Sequence, residues 1–432
     1  NPVGALSRNY GKSNSNYLIG NFSADLKILK DLTFTSRFGY KYNIGLSSGF
    51  TPIYFETSNI ASGNTATSRS TSFSTDWTWE NMLTYSKKFN ENHELSVMAA
   101  MSARDFYSES YSGSKKYLAS PEEEFRYFDA ASDTAPSLSG SASALGMLSY
   151  LGRINYNLKD RYLLEANLRY DGTSKFPKAL RWRWYPSFSA GWRLSEEPWM
   201  QGAKNVLTSL KLRASWGSIG DQSVGSSLYI PTMSRSEASW LAADGTKLVY
   251  YGTPAAVSSS LTWQDIVTFD AGIDATICKD FGLTFDWYQR DTKNMIVPGP
   301  GAGIAFGTSA PKGNFGSLRT RGWEVSLDWG KIWDNGLSLR VNASLADAKS
   351  TIVSYSKDVS DISSWYNGKT YGEIWGYKTN GLFTNADFAR DGAGNLIEVA
   401  ADDPSNVDKK GNPYTYAHYK FADGTNYPLQ DR

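Results

Sequence analysis

The chain has 432 residues, and 44 Lys and Arg against 43 Asp and Glu leave a formal net charge of +1. A balance this even sets up no field that would recruit nucleic acid or steer an acidic ligand, so no nucleic-acid partner is expected. Aromatics make up 14% of residues, with 15 Trp and 27 Tyr, and amphipathic rings of this kind suit both a bilayer interface and a sugar-binding surface.

No run approaches the roughly 18 consecutive apolar residues of a transmembrane helix, so any membrane insertion must be as a closed barrel. Asn1 opens in mid-pattern without a charged and apolar signal segment, which predicts a processed or partial chain. The one cysteine, Cys278, forbids an internal disulfide and falls in a predicted turn.

Residues 1–15 are polar and loop-like. From Leu18 the chain alternates: Leu18, Gly20, Phe22, Ala24, Leu26 and Ile28 oppose Asn21, Ser23, Asp25 and Lys27. After Lys30-Asp31 the apolar face resumes as Leu32, Phe34, Phe38, Tyr40 and Tyr42. Period two means strand, and the short polar turn makes an antiparallel hairpin. A second hairpin carries Phe73, Trp77, Trp79, Leu83 and Tyr85, turns at 87–92, and returns through Leu95, Val97, Ala99 and Met101.

The third hairpin, LSYLGRINYNLKDRYLLEANLRYD from Leu148, shows the pattern in full. Tyr150, Ile154, Tyr156, Tyr162, Leu164, Leu168 and Tyr170 share one side, and Arg153, Asn155, Glu165, Asn167, Arg169 and Asp171 share the other. Trp182, Trp184, Phe188 and Trp192 then oppose Arg181, Arg183, Ser187 and Arg193, with Pro186 inside the strand, where it is expected only at an edge or bulge. The connection 195–208 is expected to hold one helical turn before Leu210, Leu212, Ala214 and Trp216. The fifth pair runs through Phe269 and Ile273, then Phe285 and Trp287. The sixth runs through Trp323 and Trp329, then Leu339 and Leu345, around the turn signal Asp334-Asn335-Gly336.

About twelve strands in six hairpins result, with long loops expected at 44–71, 105–144, 217–261, 293–316 and 348–432. Short and long connections alternate strictly, as in outer-membrane barrels with short periplasmic turns and long extracellular loops. Tyr162 and Tyr170 lie eight residues apart on the apolar side, about 20 Å of rise on a tilted strand, which fits an apolar band of about 25 Å flanked by aromatics. The expected fold is all-β, a transmembrane antiparallel barrel. On this reading both ends of the chain lie in extracellular loops. A soluble sandwich with one wet face is the competing reading.

Catalytic chemistry finds little material. His93 and His418 have no companions at metal-ligand spacing, and Pro300 within the Gly299–Gly303 run would disrupt a phosphate cradle. No G-x-S-x-G elbow occurs. No catalytic residue, metal or cofactor is expected, and no enzyme. Glu165, Asp171, Asp270, Asp274, Asp286, Glu324 and Asp328 interleave with Arg153, Arg169, Arg181, Arg183, Arg213, Arg290 and Arg340 on the polar face, which suits a solvated ion-pair lattice. Asp391 to Asn395 and Asp402-Asp403 are fragments of calcium-loop character only. Trp240, Tyr250, Tyr251, Trp365 and Tyr366 lie in long segments and are the candidate ligand contacts, against the alternative of loop self-packing.

Several stretches resemble the SusC/RagA-type TonB-linked outer-membrane proteins of the Bacteroidetes. They include SYLGRINYNLKDRYLLEANLRYDGTSKFP from Ser149, WYPSFSAGWRLSEEPWM from Trp184, LKLRASWGSIGDQ from Leu210, TFDAGIDAT from Thr268, FDWYQRDTKNMI from Phe285, GSLRTRGWEVSLDW from Gly316 and YGEIWGYKTNGLF from Tyr371. The resemblance implies a 22-stranded barrel with a plugged lumen, of which this segment supplies middle and later strands, without the plug or the closing strands. It further implies import of oligosaccharides or peptides, a SusD-like surface lipoprotein as partner, and energy from TonB with ExbB and ExbD. The alternatives are a passive or structural barrel of the same fold and a soluble β-rich glycan-binding protein.

Overall fold

The computed structural model of the chain describes residues 10–225, 228–301, 306–356, 362, 364–376, 384–400, 403–404 and 418–420. The alternating runs form strands. In chain order these are β1 (Lys12–Leu29), β2 (Leu32–Thr51), β3 (Tyr54–Thr57), β4 (Ile60–Ser62), β5 (Ala66–Asn90), β6 (His93–Lys116), β7 (Ser137–Leu158), β8 (Tyr162–Thr173) and β9 (Trp182–Arg193). They continue as β10 (Leu207–Asp221), β11 (Arg235–Leu241), β12 (Lys247–Tyr251), β13 (Gln264–Ile277), β14 (Phe281–Pro298), β15 (Lys312–Ile332), β16 (Ser338–Ser354), β17 (Glu398–Val399) and β18 (His418–Tyr419). Twelve of them make one sheet in the order β1-β2-β5-β6-β7-β8-β9-β10-β13-β14-β15-β16, so β1 and β16 are its edges. The pairs β3–β4, β11–β12 and β17–β18 are separate hairpins or bridges.

Left-handed backbone closes the β7–β8 and β13–β14 turns. Lys159 and Asp160 have φ of 56° and 52°, and Cys278 and Lys279 have φ of 50° and 70°. Paired positive φ values match the twist of the flanking strands. The Asp334-Asn335-Gly336 signal closes as expected, with the Gly336 N–H donating to the Trp333 carbonyl at 2.9 Å. The connection after β9 holds two short 3-10 segments, Leu194–Glu196 and Pro198–Ala203, where one helical turn was expected.

At the other end the strands run further than the alternation indicated. β2 continues to Thr51 and β5 begins at Ala66, so 44–71 is mostly strand. In 105–144, β6 runs to Lys116 and β7 begins at Ser137. β10, β14 and β16 likewise extend to Asp221, Pro298 and Ser354, and β15 begins at Lys312. These extensions are rich in Ser, Thr and Gly. Alternation records a difference between two environments, so it fades where both faces are wet, while the backbone ladder continues.

Pro186 pairs with Leu168 of β8, while the β9–β10 ladder stops one residue earlier at Ser187 opposite Gly217. The residue without an N–H therefore stands at a local edge. One small buried cluster, Phe176, Tyr185, Leu261 and Trp263, fills the space beside it. Elsewhere the apolar face lies open: Leu168 is 46% exposed, Phe188 54% and Leu345 66%. Among the described residues no second layer covers it, which a soluble sandwich would require.

Aromatic rows cross this open face at two levels. Tyr170 stacks on Trp184 and Trp182 with centroids 4.3 and 4.8 Å apart. Toward the short turns, Tyr162 stacks on Trp192 at 6.3 Å. These are the two bands that the spacing of Tyr162 and Tyr170 predicted. Gly372–Arg432 is a separate compact unit. In it Thr384 and Asp387 form a capping box, and the Asp391 carboxylate accepts from the N–H groups of Ala393 and Asn395 at 2.9 and 2.8 Å. That carboxylate stabilises a tight turn, as Asx residues do. Asp402, Ala302 and Gly303 lie outside the described residues.

Candidate functional site

The polar side of the sheet is built by register. β10 sets Arg213 opposite Gly272 of β13, and the absence of a side chain at 272 lets the guanidinium reach across to β14. Its Nε donates to Asp274 Oδ2 at 2.9 Å, and its Nη2 donates to Asp274 Oδ1 at 3.0 Å and Asp286 Oδ2 at 2.9 Å. Asp270 Oδ1 lies 3.8 Å from Nη1. One cation thus holds three carboxylates, and forked bonds of this kind fix orientation as well as charge.

Neighbouring strands continue the lattice. Arg153 Nε donates to Asn167 Oδ1 at 2.7 Å, and Asn167 Nδ2 donates to Glu165 Oε1 at 2.7 Å. Arg169 pairs with Asp171 at 3.0 Å, and Arg104 with Asp76 at 2.7 Å. Glu94, Asn155, Glu165, Lys211, Arg213 and Asp270 line a concavity of about 490 Å³ on this side. The expected ion-pair lattice therefore exists around Arg213, Asp270, Asp274, Asp286, Arg169 and Asp171. Arg181 departs from it and donates to the Phe176 carbonyl at 3.0 Å, Arg183 pairs instead with Asp265, and Arg290, Glu324, Asp328 and Arg340 make no ion pair among the described residues.

Nearer the long-loop end the same side loses its charges. Ser47 of β2 faces Ser70 of β5, Ser70 faces Ser112 of β6, and Ser112 faces Ser139 of β7. Ser112 and Ser139 hydroxyls lie 2.6 Å apart, and Ser110 and Ser141 hydroxyls 3.1 Å apart. This wall is hydrophilic, shallow in side-chain depth and uncharged. Sequence reading took these segments for loop and so missed it. The alternate serines of SRSTSFS and SYSGS were the available signal.

The buried cluster was also missed. Trp263 Nε1 donates to the Arg181 carbonyl at 2.8 Å, and Lys175 Nζ donates to the Gln222 and Val224 carbonyls at 2.9 and 3.0 Å. Arg183 pairs with Asp265 at 2.5 Å. Asp265 occupies an apolar position of the β13 alternation, which hid it. Together these bonds hold both stems of the segment between β10 and β13.

The five candidate ligand contacts do not form one site. Trp240 lies on β11, and Tyr250 and Tyr251 lie on β12; they are 70%, 52% and 64% exposed. Tyr250 and Tyr251 are consecutive in a strand and so point to opposite faces. Trp365 and Tyr366 lie after β16. There Trp365 stacks on Tyr371 at 5.4 Å, and the Lys369 ammonium lies over both the Trp365 and Tyr366 rings at 5.5 and 5.3 Å. Those two rings pack within their own segment, and of the five candidates the rings of the β11–β12 hairpin are the more open.

An antiparallel meander with an aromatic-banded apolar outside and a polar, charged inside is a portion of the wall of an outer-membrane-type β-barrel. Residues 1–431 match the family described as TonB dependent receptor-like, beta-barrel, and the chain belongs to that family. The TonB-dependent receptor SusC of Bacteroides thetaiotaomicron is 29% identical over 349 residues, covering 76% of this chain and 32% of the relative. The TonB-dependent receptor P39 of Formosa agariphila is 26% identical, covering 83% and 34%. Among solved structures, the RagAB peptide transporter aligns with a TM-score of 0.72 at 17% identity, over 84% of this chain and 40% of that one. The RagAB peptide importer in its closed-closed state aligns at 0.73, over 97% and 44%. The SusC/RagA-type resemblance read from the motifs therefore holds, and the chain spans about a third of the length of the curated relatives it matches.

Proposed function

We infer that the chain forms part of the barrel wall of an outer-membrane importer that takes up oligosaccharides or peptides. It works with a SusD-like lipoprotein at the long-loop end and draws energy through TonB with ExbB and ExbD. The observation that carries this reading is the two-faced sheet: an open apolar outside banded by aromatics, and a charged inside whose carboxylates gather on Arg213. A lumen lined by charged groups of both signs, with a hydroxyl-rich upper wall, suits a large polar solute. The names of the relatives, receptors in one set and a peptide transporter in the other, support the same reading. The exposed Trp240 and Tyr250 on the β11–β12 hairpin are the proposed solute contacts, by stacking on a sugar ring or a side chain.

The test is uptake by cells carrying the full-length gene. Labelled oligosaccharides and labelled peptides are offered in parallel to cells with and without TonB function. Uptake of one class that needs both the gene and TonB is expected, and Trp240→Ala with Tyr250→Ala should weaken it while Tyr251→Ala does so less. Uptake of either class that persists without TonB would support a passive barrel instead.

A further inference from the structure

On the outward face of β14–β16, the row Trp287, Trp323 and Asp347 gives way one pair further toward the long loops to Gln289, Arg321 and Lys349, and no ion pair joins Asp347 to either cation among the described residues. In the next row Arg319 takes up the Asp291 carboxylate: Arg319 Nε donates to Asp291 Oδ1 at 2.6 Å and Nη2 to Asp291 Oδ2 at 3.2 Å, and Gln289 Nε2 donates to Oδ2 at 3.1 Å. Arg321 differs. Its Nε donates to the neutral amide oxygen of Gln289 at 2.8 Å, and the residue directly opposite it on β16 is Lys349. Both cations are exposed, and among the described residues neither makes an ion pair. Like charges directly opposed across two strands destabilise the pair. Three features coincide here: opposed cations, an Arg321 guanidinium whose hydrogen bond goes to a neutral amide, and a position just beyond the paired tryptophans.

We propose that Arg321 and Lys349 form an outward-facing clamp for the phosphate of a membrane lipid headgroup in the leaflet at the long-loop end. The inference rests on the barrel reading above. Two residues along a tilted strand from the tryptophans is about 5 Å of height, which is the depth of the headgroup layer outside a hydrocarbon core of about 30 Å. A phosphate there offers oxygens to both cations and removes their mutual repulsion. Arg321 supplies the planar fork and Lys349 the mobile point charge. The Trp287 and Trp323 rings below it lie beside the upper acyl chains.

The test uses the full-length protein in phosphatidylcholine vesicles containing a minor fraction of lipid A, with retained lipid counted by native mass spectrometry. Wild type should retain phosphorylated lipid A over a dephosphorylated form. Arg321→Gln with Lys349→Gln should lower the affinity roughly thirtyfold, from roughly fivefold per basic side chain near an anionic surface. Arg340→Gln on the polar side should leave it unchanged. Equal retention by the double variant and wild type would overturn the clamp. So would displacement of the lipid by inorganic phosphate at equal concentration, which would make the site one for a free anion. A protein that enters no vesicle at all would count against the barrel reading, a result distinct from either of these.

Discussion

Gly220 of β10 lies against Tyr185 of β9 so closely that a Cβ at position 220 would overlap the Tyr185 hydroxyl and lie 2.7 Å from the Trp263 ring. The missing side chain is what lets the Trp263 wedge fill the gap above the end of the β9–β10 ladder. Gly220→Ala should therefore cost roughly 1–3 kcal/mol by overpacking a site that has no room to relax. Gly152→Ala, with nothing within 4 Å of the new Cβ, should change stability by less than about 0.5 kcal/mol. Urea midpoints for folding into lipid vesicles decide it, and equal midpoints would show that the wedge is loosely packed. Tyr185→Phe should be neutral or stabilising, because the buried hydroxyl has no hydrogen-bond partner among the described residues.

The two faces of the sheet make a second prediction. Leu168 projects from the open apolar side and Ser189 from the polar side, where it lies directly opposite Glu165. Leu168→Arg should cost about 2 to 4 kcal/mol near mid-membrane. Ser189→Arg gains a carboxylate across the strand and should cost much less. Asn167 is the less informative polar-side position because it already links Arg153 to Glu165. Comparable losses for Leu168→Arg and Ser189→Arg would reverse the assignment of faces.

Strand number, turn positions and the apolar face were legible in the sequence because each leaves a local record: alternation at Leu148 to Asp171, two-residue turns, Asn-Gly chemistry at 335–336. Strand length was not. Beyond Ile44 both faces of β2 and β5 carry Ser or Thr, and in 108–114 alternation survives only as serine against glutamate, tyrosine and glycine, a contrast too weak to mark a strand. The Arg213 lattice was legible as a face but not as a set of partners, because the bonds reach across strands through Gly272. The Trp263 cluster joins residues more than eighty positions apart and left no periodic trace. Trp240 and Trp365 look alike in sequence, and only the Lys369 and Tyr371 contacts separate the packed ring from the open one.

The short-turn end should respond to acid through Glu197. Tyr162 donates its hydroxyl to Glu197 Oε1 at 2.6 Å, Trp192 Nε1 donates to the same oxygen at 3.1 Å, and Arg161 lies 3.5 Å from Oε2. The two hydrogen bonds, and then the Arg161 charge, hold this carboxyl below the ordinary glutamate range. A carboxylate with a depressed folded pKa contributes stability above its unfolded value, and that contribution is lost as pH falls through the folded one. Wild type should therefore lose stability below the normal glutamate titration, and Glu197→Gln should lose less over the same range while starting lower at neutral pH. Parallel unfolding curves for the two proteins from neutral to acidic pH would show that Glu197 carries no such linkage.

Arg213 offers the sharpest test of the polar side. Its removal leaves Asp270, Asp274 and Asp286 facing one another across adjacent strands, with no other cation paired to them among the described residues. Breaking a fully buried pair costs about 3–5 kcal/mol, but the Arg213 side chain is 28% exposed, so water screens part of the repulsion and roughly 2 kcal/mol is expected for Arg213→Leu. Added salt should shrink that loss, since ions screen what remains. Arg213→Lys should fall between the two, because one ammonium cannot reproduce the fork to both Asp274 and Asp286. Pairing Arg213→Leu with Asp286→Asn should recover part of the stability by removing one of the opposed charges. If the single variant loses the same amount at low and high salt, its cost is packing, and the lattice owes little to charge.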